Sequence, residues 1–542
     1  MRTIFKSFIH NISIKEILLS FLLLIPILFY YLAYFYHHSA DLGFGFLSGD
    51  MPSYMANARQ HFDENGFHFF YANPFNLDNK EPHIYFQIHT LLLGVFWKIT
   101  GISPGILFMI FGFVCAFFAI WLSLKLFKSY LGWGKTAHLI TFIIFIYGGG
   151  LLIFSGFMYS FVQGAGFQQS VLNCKMFDPG GGFWMLNYGR NFIFPTEAYY
   201  HLLSIGILFF IHQKKQLLAS LILFLLAASH PFYGIQFLII VLGWQTIEIL
   251  KFKKTNILLK HLLINLIILS LFVFYYGFYL NKFPEHRIIV EQWSLNWILK
   301  IKNILPAYGI LILIIIIQIR TKEMLFKFYN NSFRRFLVIY AIVSFLLANH
   351  ELFIKPIQPI HFTHGHIFIP LFLLAAEPIF GFFQYQRSKM FLGLKILLFF
   401  IFIFDNLIWF TGQSYVNFNS ITKEEMTSLR NQEEVINYLK ITFDSNYLLT
   451  SENKNLEYYT TVYSSLNALV PHPANTPFVA ERIKQKNKLL YNNGLDILSK
   501  YHLIVVDDIT LDGINLKIKN NNKFLELFRN KQFIVYQRKN LQ

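Results

Sequence analysis

ILLSFLLLIPILFYYLAYF, residues 17–35, is a run of 19 residues without a charged side chain, and several similar runs follow it along the chain. A helix that crosses a membrane needs about 20 apolar residues, whereas the apolar part of a cleavable signal peptide has about 7–15. We therefore expect this run to remain in the protein as a membrane anchor. Only 14% of all residues are charged, against roughly 25% in soluble domains. The sequence predicts a polytopic α-helical membrane protein.

The apolar runs predict about eleven transmembrane helices. They lie at residues 17–36, 103–126, 137–158, 198–212, 216–229, 233–250, 257–280, 303–319, 336–350, 366–384 and 391–412. The shorter runs are compatible with tilted or broken helices. A further apolar stretch, 84–97, would invert every later loop if it crossed, so we predict an interfacial or re-entrant helix there.

The basic residues predict an orientation. Lys and Arg collect in short loops between the apolar runs, at 125–135, 214–215, 251–254, 320–335 and 387–389. Because cytoplasmic loops are enriched in Lys and Arg, we predict a cytoplasmic N-terminus and an extracytoplasmic C-terminus. This distribution also accounts for the net charge of +17, so we predict no nucleic-acid partner.

The composition changes after Thr411 from apolar to charged. Helical patterns at 422–440 and 478–491 alternate with short β runs at 447–450, 503–506 and 533–536. Such alternation indicates a small α/β domain. We predict a transmembrane domain at 1–412, with its first outer loop at 37–102, and a C-terminal extracytoplasmic α/β domain at 413–542.

The first outer loop carries the run Gly49-Asp50-Met51-Pro52-Ser53-Tyr54 near its start. A carboxylate near a membrane surface can act as a general base on a hydroxyl group. Asp50 also stands just before Pro52 and a helical pattern that reaches His61, which fits a helix cap equally well. The residues alone leave both interpretations open.

The order of residues in this loop resembles the GT-C class of membrane glycosyltransferases, in the branch that contains the aminoarabinose transferases and protein O-mannosyltransferases. The matching features are Asp50 after the first span, Tyr54, Ala58-Arg59 and the segment Glu81-Pro82-His83. The run from Pro471 to Pro477, PHPANTP, resembles part of the outer domain of bacterial members of this group. Met51 is a departure, because many members have Glu at that position.

The resemblance implies a GT-C-like fold and transfer of a sugar from a polyprenyl-phosphate-linked donor at the outer face of the bacterial plasma (inner) membrane. Asp50 would be the catalytic base, and Tyr54, Arg59, Glu81 and His83 would bind substrate. The partners would be membrane lipid, the lipid-linked donor and an unknown glycan, lipid or protein acceptor.

The departing phosphate of such a donor needs positive charge or hydrogen-bond donors. The outer loops offer these candidates: Arg190, His230, Arg287, Lys355, His361, His364 and His366. Arg190 is the first choice, because it follows Gly180–Gly182 and a guanidinium binds phosphate oxygens at two points. His230 precedes Pro231, which breaks an apolar run, so a tight structural connection is an equal interpretation.

Three His residues within six positions, His361, His364 and His366, raise the question of a metal site. No Cys or well-placed carboxylate accompanies them in the sequence. We therefore predict no metal ligands and no firm cofactor, although a divalent cation is compatible with the site. Hydrogen bonding to sugar or phosphate, or a simple interfacial position, is expected instead.

Two other functions stay open from the sequence. One is a transporter or flippase of lipid-linked saccharides, although transporters place polar groups within spans and contain paired halves. Here the spans hold few charges and no halves repeat. The other is a catalytically inactive cell-envelope assembly protein, an interpretation that the departure at Met51 supports.

Overall fold

The computed structural model describes residues 13–35, 50–63, 66–77, 82–178, 186–252, 256–292, 299–355, 357–385, 389–419, 423–444, 447–491, 502–507, 518–519 and 521–539. Glu81 and Gly180–Gly182 lie outside these ranges. The chain separates into two compact units. The first unit comprises Met1–Ala33, Gly112–Phe274 and Leu295–Asn417, and the second unit comprises Tyr34–Phe111, Tyr275–Ser294 and Phe418–Gln542. The predicted division between residues 412 and 413 stays a prediction.

Helices dominate the described residues. In chain order they are α1 Ile14–Leu23, α2 Ile25–Phe35, α3 Met51–Gln60, α4 Ile88–Thr100, α5 Pro104–Leu131, α6 Thr136–Tyr147, α7 Leu152–Val162, α8 Phe167–Asn173, α9 Pro195–His212, α10 Gln216–Ala227, α11 Pro231–Phe252, α12 Asn256–Phe272, α13 Pro284–Gln292, α14 Ile301–Gln318, α15 Lys322–Asn330, α16 Ser332–Ala348, α17 Phe368–Gln384, α18 Lys389–Asn419, α19 Lys423–Thr442, α20 Lys454–Tyr463 and α21 Val479–Tyr491.

Each of the eleven predicted spans overlaps at least one helix of this set. Among the described residues, six helices are long and apolar enough to cross a membrane, or up to eight spans if each of two bent helix pairs counts as one. One of those pairs is α6 with α7, which is bent by 75°. The predicted span 137–158 is therefore a broken helix. The apolar stretch 84–97 forms α4, a shorter apolar helix that begins at Ile88.

The second unit contains a five-stranded sheet with the order β2-β1-β3-β5-β4. Its strands are β1 Leu448–Ser451, β2 Asn467–Ala468, β3 Leu503–Asp507, β4 Phe524–Arg529 and β5 Phe533–Arg538. β1 pairs in parallel with β2 and β3, whereas β5 pairs antiparallel with β3 and β4. The three predicted strands correspond to β1, β3 and β5. Two strands were not predicted from the sequence: β2, which has two residues, and β4, whose central residues are largely exposed.

The central strand of the sheet, β3, is buried on both of its faces. Leu503 and Val505 pack on one face with Val435 and Leu439 of α19, and Ile504 and Val506 pack on the other face. A strand that is buried on both faces reads as a continuous apolar run, which is the pattern Leu503–Val506 shows. This strand was therefore the easiest one to predict.

The first loop packs against the C-terminal residues within the second unit. The Arg482 guanidinium of α21 donates to the backbone oxygen of Phe75 at 2.9 Å, and the Asn73 amide donates to the backbone oxygen of Asn475 at 3.2 Å. Helix α3 also packs on α20. These contacts hold the loop that contains Asp50 against the sheet domain.

Candidate functional site

Asp50 lies at the N-terminus of α3, with Pro52 in the first turn. Within the described part of the chain, its carboxylate makes no cap hydrogen bond to the helix. The start of the helix is instead held by Ser53, whose hydroxyl donates to the backbone oxygen of Asp50 at 2.6 Å. Asp50 thus occupies the cap position that the sequence indicated, while its side chain is directed elsewhere.

The Asp50 carboxylate faces His472 of the PHPANTP run. The distance from Asp50 Oδ1 to His472 Nε2 is 3.2 Å. His472 Nδ1 accepts hydrogen bonds from the backbone N–H groups of Ala474 and Asn475, at 3.0 and 2.9 Å. Because Nδ1 accepts two hydrogen bonds, the ring proton must lie on Nε2, next to the carboxylate. The tight turn after His472 therefore fixes which nitrogen of the ring faces Asp50.

The two partners differ sharply in exposure. The Asp50 side chain is 66% exposed, whereas the His472 side chain is completely buried. The His472 ring stacks on Phe75, with centroids 5.3 Å apart, and meets the edge of Tyr458 at 5.1 Å. Burial and the charge of Asp50 raise the pKa of Tyr458 well above its ordinary value, so its phenol stays protonated. Buried aromatic side chains thus pack around His472, while the Asp50 carboxylate beside it remains accessible.

Helix α3 is positioned by a close approach to α4. A Cβ atom on Gly94 would lie 2.5 Å from the backbone oxygen of Ala58, so only glycine fits there. Tyr54, one turn after Asp50, packs between His89 and Phe108, with ring centroids at 5.3 and 6.2 Å. Its ring therefore takes part in the packing of α3.

The other predicted residues of the second unit have these positions. Arg59 forms an ion pair with Asp63 and donates to the backbone oxygen of Thr461 at 3.0 Å. His83 contacts the backbone oxygen of Phe70 through Nδ1 at 3.0 Å. Arg287 is exposed and donates to the backbone oxygen of Asn281 at 3.0 Å. Glu81 lies outside the described residues.

Arg190 lies in the first unit, inside a buried polar network. Its Nη1 donates to Asp178 at 2.6 Å and its Nε donates to Asn406 at 2.7 Å, while Nη2 lies 3.8 Å from Asp405. The Arg190 side chain is 1% exposed. Burial raises the pKa of Asp178, and the Arg190 charge opposes that shift. The guanidinium thus compensates two buried carboxylates, and its predicted role in phosphate binding stays a prediction.

The predicted His residues of the first unit come together around Tyr233 of α11. The ring of His230 lies 4.7 Å from that of Tyr233 and 5.2 Å from that of His361. His364 Nδ1 lies 3.2 Å from the carboxylate of Glu197, which also accepts a hydrogen bond from the Tyr233 hydroxyl at 2.6 Å. We call Glu197, Tyr233, His361 and His364 the Glu–His cluster.

The two remaining predicted residues of the first unit are His366 and Lys355. His366 Nδ1 lies 2.6 Å from the Tyr340 hydroxyl, and its ring stacks on His201 at 5.0 Å. Lys355 is exposed in the loop that precedes the clustered His residues. His366 thus belongs to the buried packing beside the Glu–His cluster.

The sequence analysis did not assign roles to His472, Glu197 or Tyr233. His472 belongs to the PHPANTP run, and the two prolines that flank it are a sequence signal for a fixed turn. Glu197 follows Pro195 in the first turn of α9, where an acidic residue is expected merely because it suits the helix dipole. Tyr233 carried no signal, since it is one of 30 tyrosines in the chain.

Solved structures with a similar fold are membrane glycosyltransferases. ArnT (aminoarabinose transferase) from Cupriavidus metallidurans bound to undecaprenyl phosphate matches 97% of this chain and 98% of its own, with a TM-score of 0.51 and 10% identity. The Archaeoglobus fulgidus oligosaccharyltransferase tethered to an acceptor peptide matches 90% of this chain and 69% of its own, with a TM-score of 0.53 and 11% identity. Its complex with Zn and sulfate gives a TM-score of 0.51 at 11% identity, over 90% of this chain and 68% of that one.

No family model matches the sequence, and no curated protein matches it significantly. The structural matches nevertheless cover nearly the whole chain. The chain is a multi-pass membrane protein with the fold of the GT-C class of glycosyltransferases. This finding confirms the predicted fold class and the resemblance on which it was based.

Proposed function

We propose that this protein is a membrane glycosyltransferase that transfers a sugar from a polyprenyl-phosphate-linked donor to an acceptor at the outer face of the plasma membrane. The observation that carries the proposal is the exposed Asp50 carboxylate, held 3.2 Å from the buried His472 at the start of a loop helix in a GT-C fold. The undecaprenyl phosphate bound to ArnT, a protein of the same fold, supports the choice of donor.

Asp50 is the general base of the proposed reaction. Its carboxylate removes the proton from the acceptor hydroxyl while that oxygen attacks the anomeric carbon of the donor sugar. A new C–O bond forms at the anomeric carbon, and the bond from this carbon to the phosphate oxygen breaks. The electron pair of the broken bond leaves with the polyprenyl phosphate. Since phosphate is a stable leaving group, no second carboxylate is required as an acid.

His472 is a positioning residue in this mechanism. Its Nε2 atom lies 3.2 Å from Asp50 Oδ1 and would orient the carboxylate by electrostatic attraction, while the two backbone hydrogen bonds to Nδ1 hold the ring in place. The departing phosphate needs positive charge or hydrogen-bond donors, and the assignment of particular residues to it stays a prediction.

Replacing His472 by Asn should slow sugar transfer by about 10-fold, because the Asp50 carboxylate loses the polar ring nitrogen 3.2 Å away; a tenfold change corresponds to about 1.4 kcal/mol. An Asn oxygen can replace Nδ1 as an acceptor for the backbone N–H groups, but it does not reach Asp50. We expect kcat to fall and KM to change little, as measured by initial rates of transfer from a labelled polyprenyl-phosphate sugar.

The matched control is His472→Gln, whose amide nitrogen can replace Nε2 near Asp50. This variant should retain more activity than His472→Asn but lower the melting temperature, because the Ala474 and Asn475 N–H groups lose their acceptor. Equal activity of the wild type and His472→Asn would contradict the positioning role.

The orientation is also a proposal, supported by the Lys and Arg distribution. A Cys at Lys484, an exposed residue of α21, should react with a membrane-impermeant maleimide in intact cells when Cys115 and Cys174 are replaced by Ser. Labelling only after the membrane is permeabilised would place the C-terminal domain in the cytoplasm and reject the proposed outer-face chemistry.

A further inference from the structure

We propose that Glu197, His361 and His364 of the first unit bind a divalent transition-metal ion, with Zn²⁺ as the best match. One carboxylate oxygen of Glu197 and one nitrogen of each His all lie within 4.8 Å of one another. Two imidazoles and one carboxylate form a ligand set that zinc adopts when a fourth position is left for water or substrate. The sequence contained the two His residues but gave no sign that a carboxylate stood beside them.

The distance between Glu197 and His364 suits a metal of this size. Ligand atoms at about 2.0–2.1 Å from a tetrahedral ion lie roughly 3.3 Å apart. Glu197 Oε2 and His364 Nδ1 are already 3.2 Å apart. The ligand nitrogen of His361 lies within 4.8 Å of both, so its ring would have to move closer for all three residues to bind one ion.

The local backbone is shaped to bring the two His residues together. His361 lies on the short 3-10 helix Pro359–Phe362, which follows Gln358 with a φ of +46°. Residues other than glycine rarely adopt this conformation, and such strain concentrates at functional sites. Gly365 has a φ of +76°, and a Cβ atom added to it would lie 3.1 Å from the backbone oxygen of Asn187. The turn therefore directs His364 towards Glu197.

A second layer of polar groups orients the ligands. The Tyr233 hydroxyl donates to Glu197 Oε2 at 2.6 Å, and His361 Nε2 lies 2.7 Å from Gln358 Oε1. If Nε2–H donates to this oxygen, the lone pair of His361 is on Nδ1. Hydrogen bonds of this kind fix the tautomer of metal-binding His residues.

The alternative is that Glu197 and His364 form only an ion pair, but this explains fewer of the observed features. It requires neither the convergence of His361 nor the strained turn at Gln358. His366 is not one of the three residues whose ligand atoms lie within 4.8 Å of one another. The ligand set proposed is thus different from the three His residues that the sequence suggested.

The test is metal analysis of the full-length protein purified in detergent. After washing with a weak chelator and addition of Zn²⁺ alone, the wild type should retain about one ion per chain, and Co²⁺ in its place should give the intense visible bands of a tetrahedral site. Glu197→Gln and His364→Ala should each abolish stoichiometric retention. Tyr233→Phe should weaken the affinity by about 10–100-fold.

His350→Gln is the matched control. His350 lies at the start of the same loop, but its Nδ1 contacts the backbone oxygen of Leu347 at 2.6 Å and its Nε2 accepts from the N–H of Ile357 at 3.0 Å. This variant should keep the ion. A wild type that retains no metal, retention by the Glu197 and His364 variants, or equal loss from the His350 variant would each overturn the proposal. Because the measurement uses neither donor nor acceptor, its outcome is independent of the proposed transferase activity.

Discussion

Replacing Asp50 by Asn should slow sugar transfer by about 10²–10⁴-fold, the range expected for the loss of a general base. The amide has nearly the same shape as the carboxylate, so the contact with His472 and the start of α3 should survive. The substitution removes only the ability to accept the acceptor proton. Single-turnover rates with a labelled polyprenyl-phosphate sugar, measured in membranes that contain equal amounts of each variant, provide the comparison.

Asp63→Asn is the control for this experiment. Asp63 belongs to the same loop and pairs with Arg59, but it has no proposed part in the chemistry. Its rate should remain within a few fold of the wild type. Full activity of the Asp50→Asn variant would reject Asp50 as the base even if the protein proves to be a transferase.

Replacing Arg190 by Met should destabilise the protein by about 3–5 kcal/mol, because it leaves the buried carboxylates of Asp178 and Asp405 without their compensating charge. Thermal unfolding in detergent, followed by tryptophan fluorescence, is the measurement. The double variant Arg190→Met with Asp178→Asn should recover part of the loss, because it removes one of the two uncompensated charges.

Arg287→Met is the matched control, since Arg287 is exposed and bonds only to a backbone oxygen among the contacts described above. Its melting temperature should stay close to that of the wild type. A stable Arg190→Met variant that fails to use the donor would favour the phosphate role, whereas a strongly destabilised one supports the structural network.

The fold class followed from the sequence because the length and spacing of apolar runs are local properties. The α/β character of the C-terminal residues was also predictable, since β3 is a continuous apolar run. β4 was missed because Glu526 and Arg529 interrupt its apolar residues, and the strand lies at the edge of the sheet with its central residues largely exposed. The break between α6 and α7 depends on packing, which a hydropathy pattern does not contain.

The candidate site was predictable only in part, because its residues are distant in the chain. Asp50 was singled out from its position after the first span, but nothing near it in sequence indicates His472, more than 400 positions later. The same limit applies to Glu197 and His364. In both pairs, one residue was singled out from the sequence, and its partner was recognised only in the folded structure.

The most direct test of the proposed function is the fate of the donor. Purified protein in liposomes, supplied with a labelled polyprenyl-phosphate sugar and a membrane extract as the source of acceptor, should release sugar-free polyprenyl phosphate and label the acceptor. The Asp50→Asn protein should produce little of either. Movement of the intact donor across the bilayer, with no polyprenyl phosphate released, would contradict a glycosyltransferase and indicate a flippase.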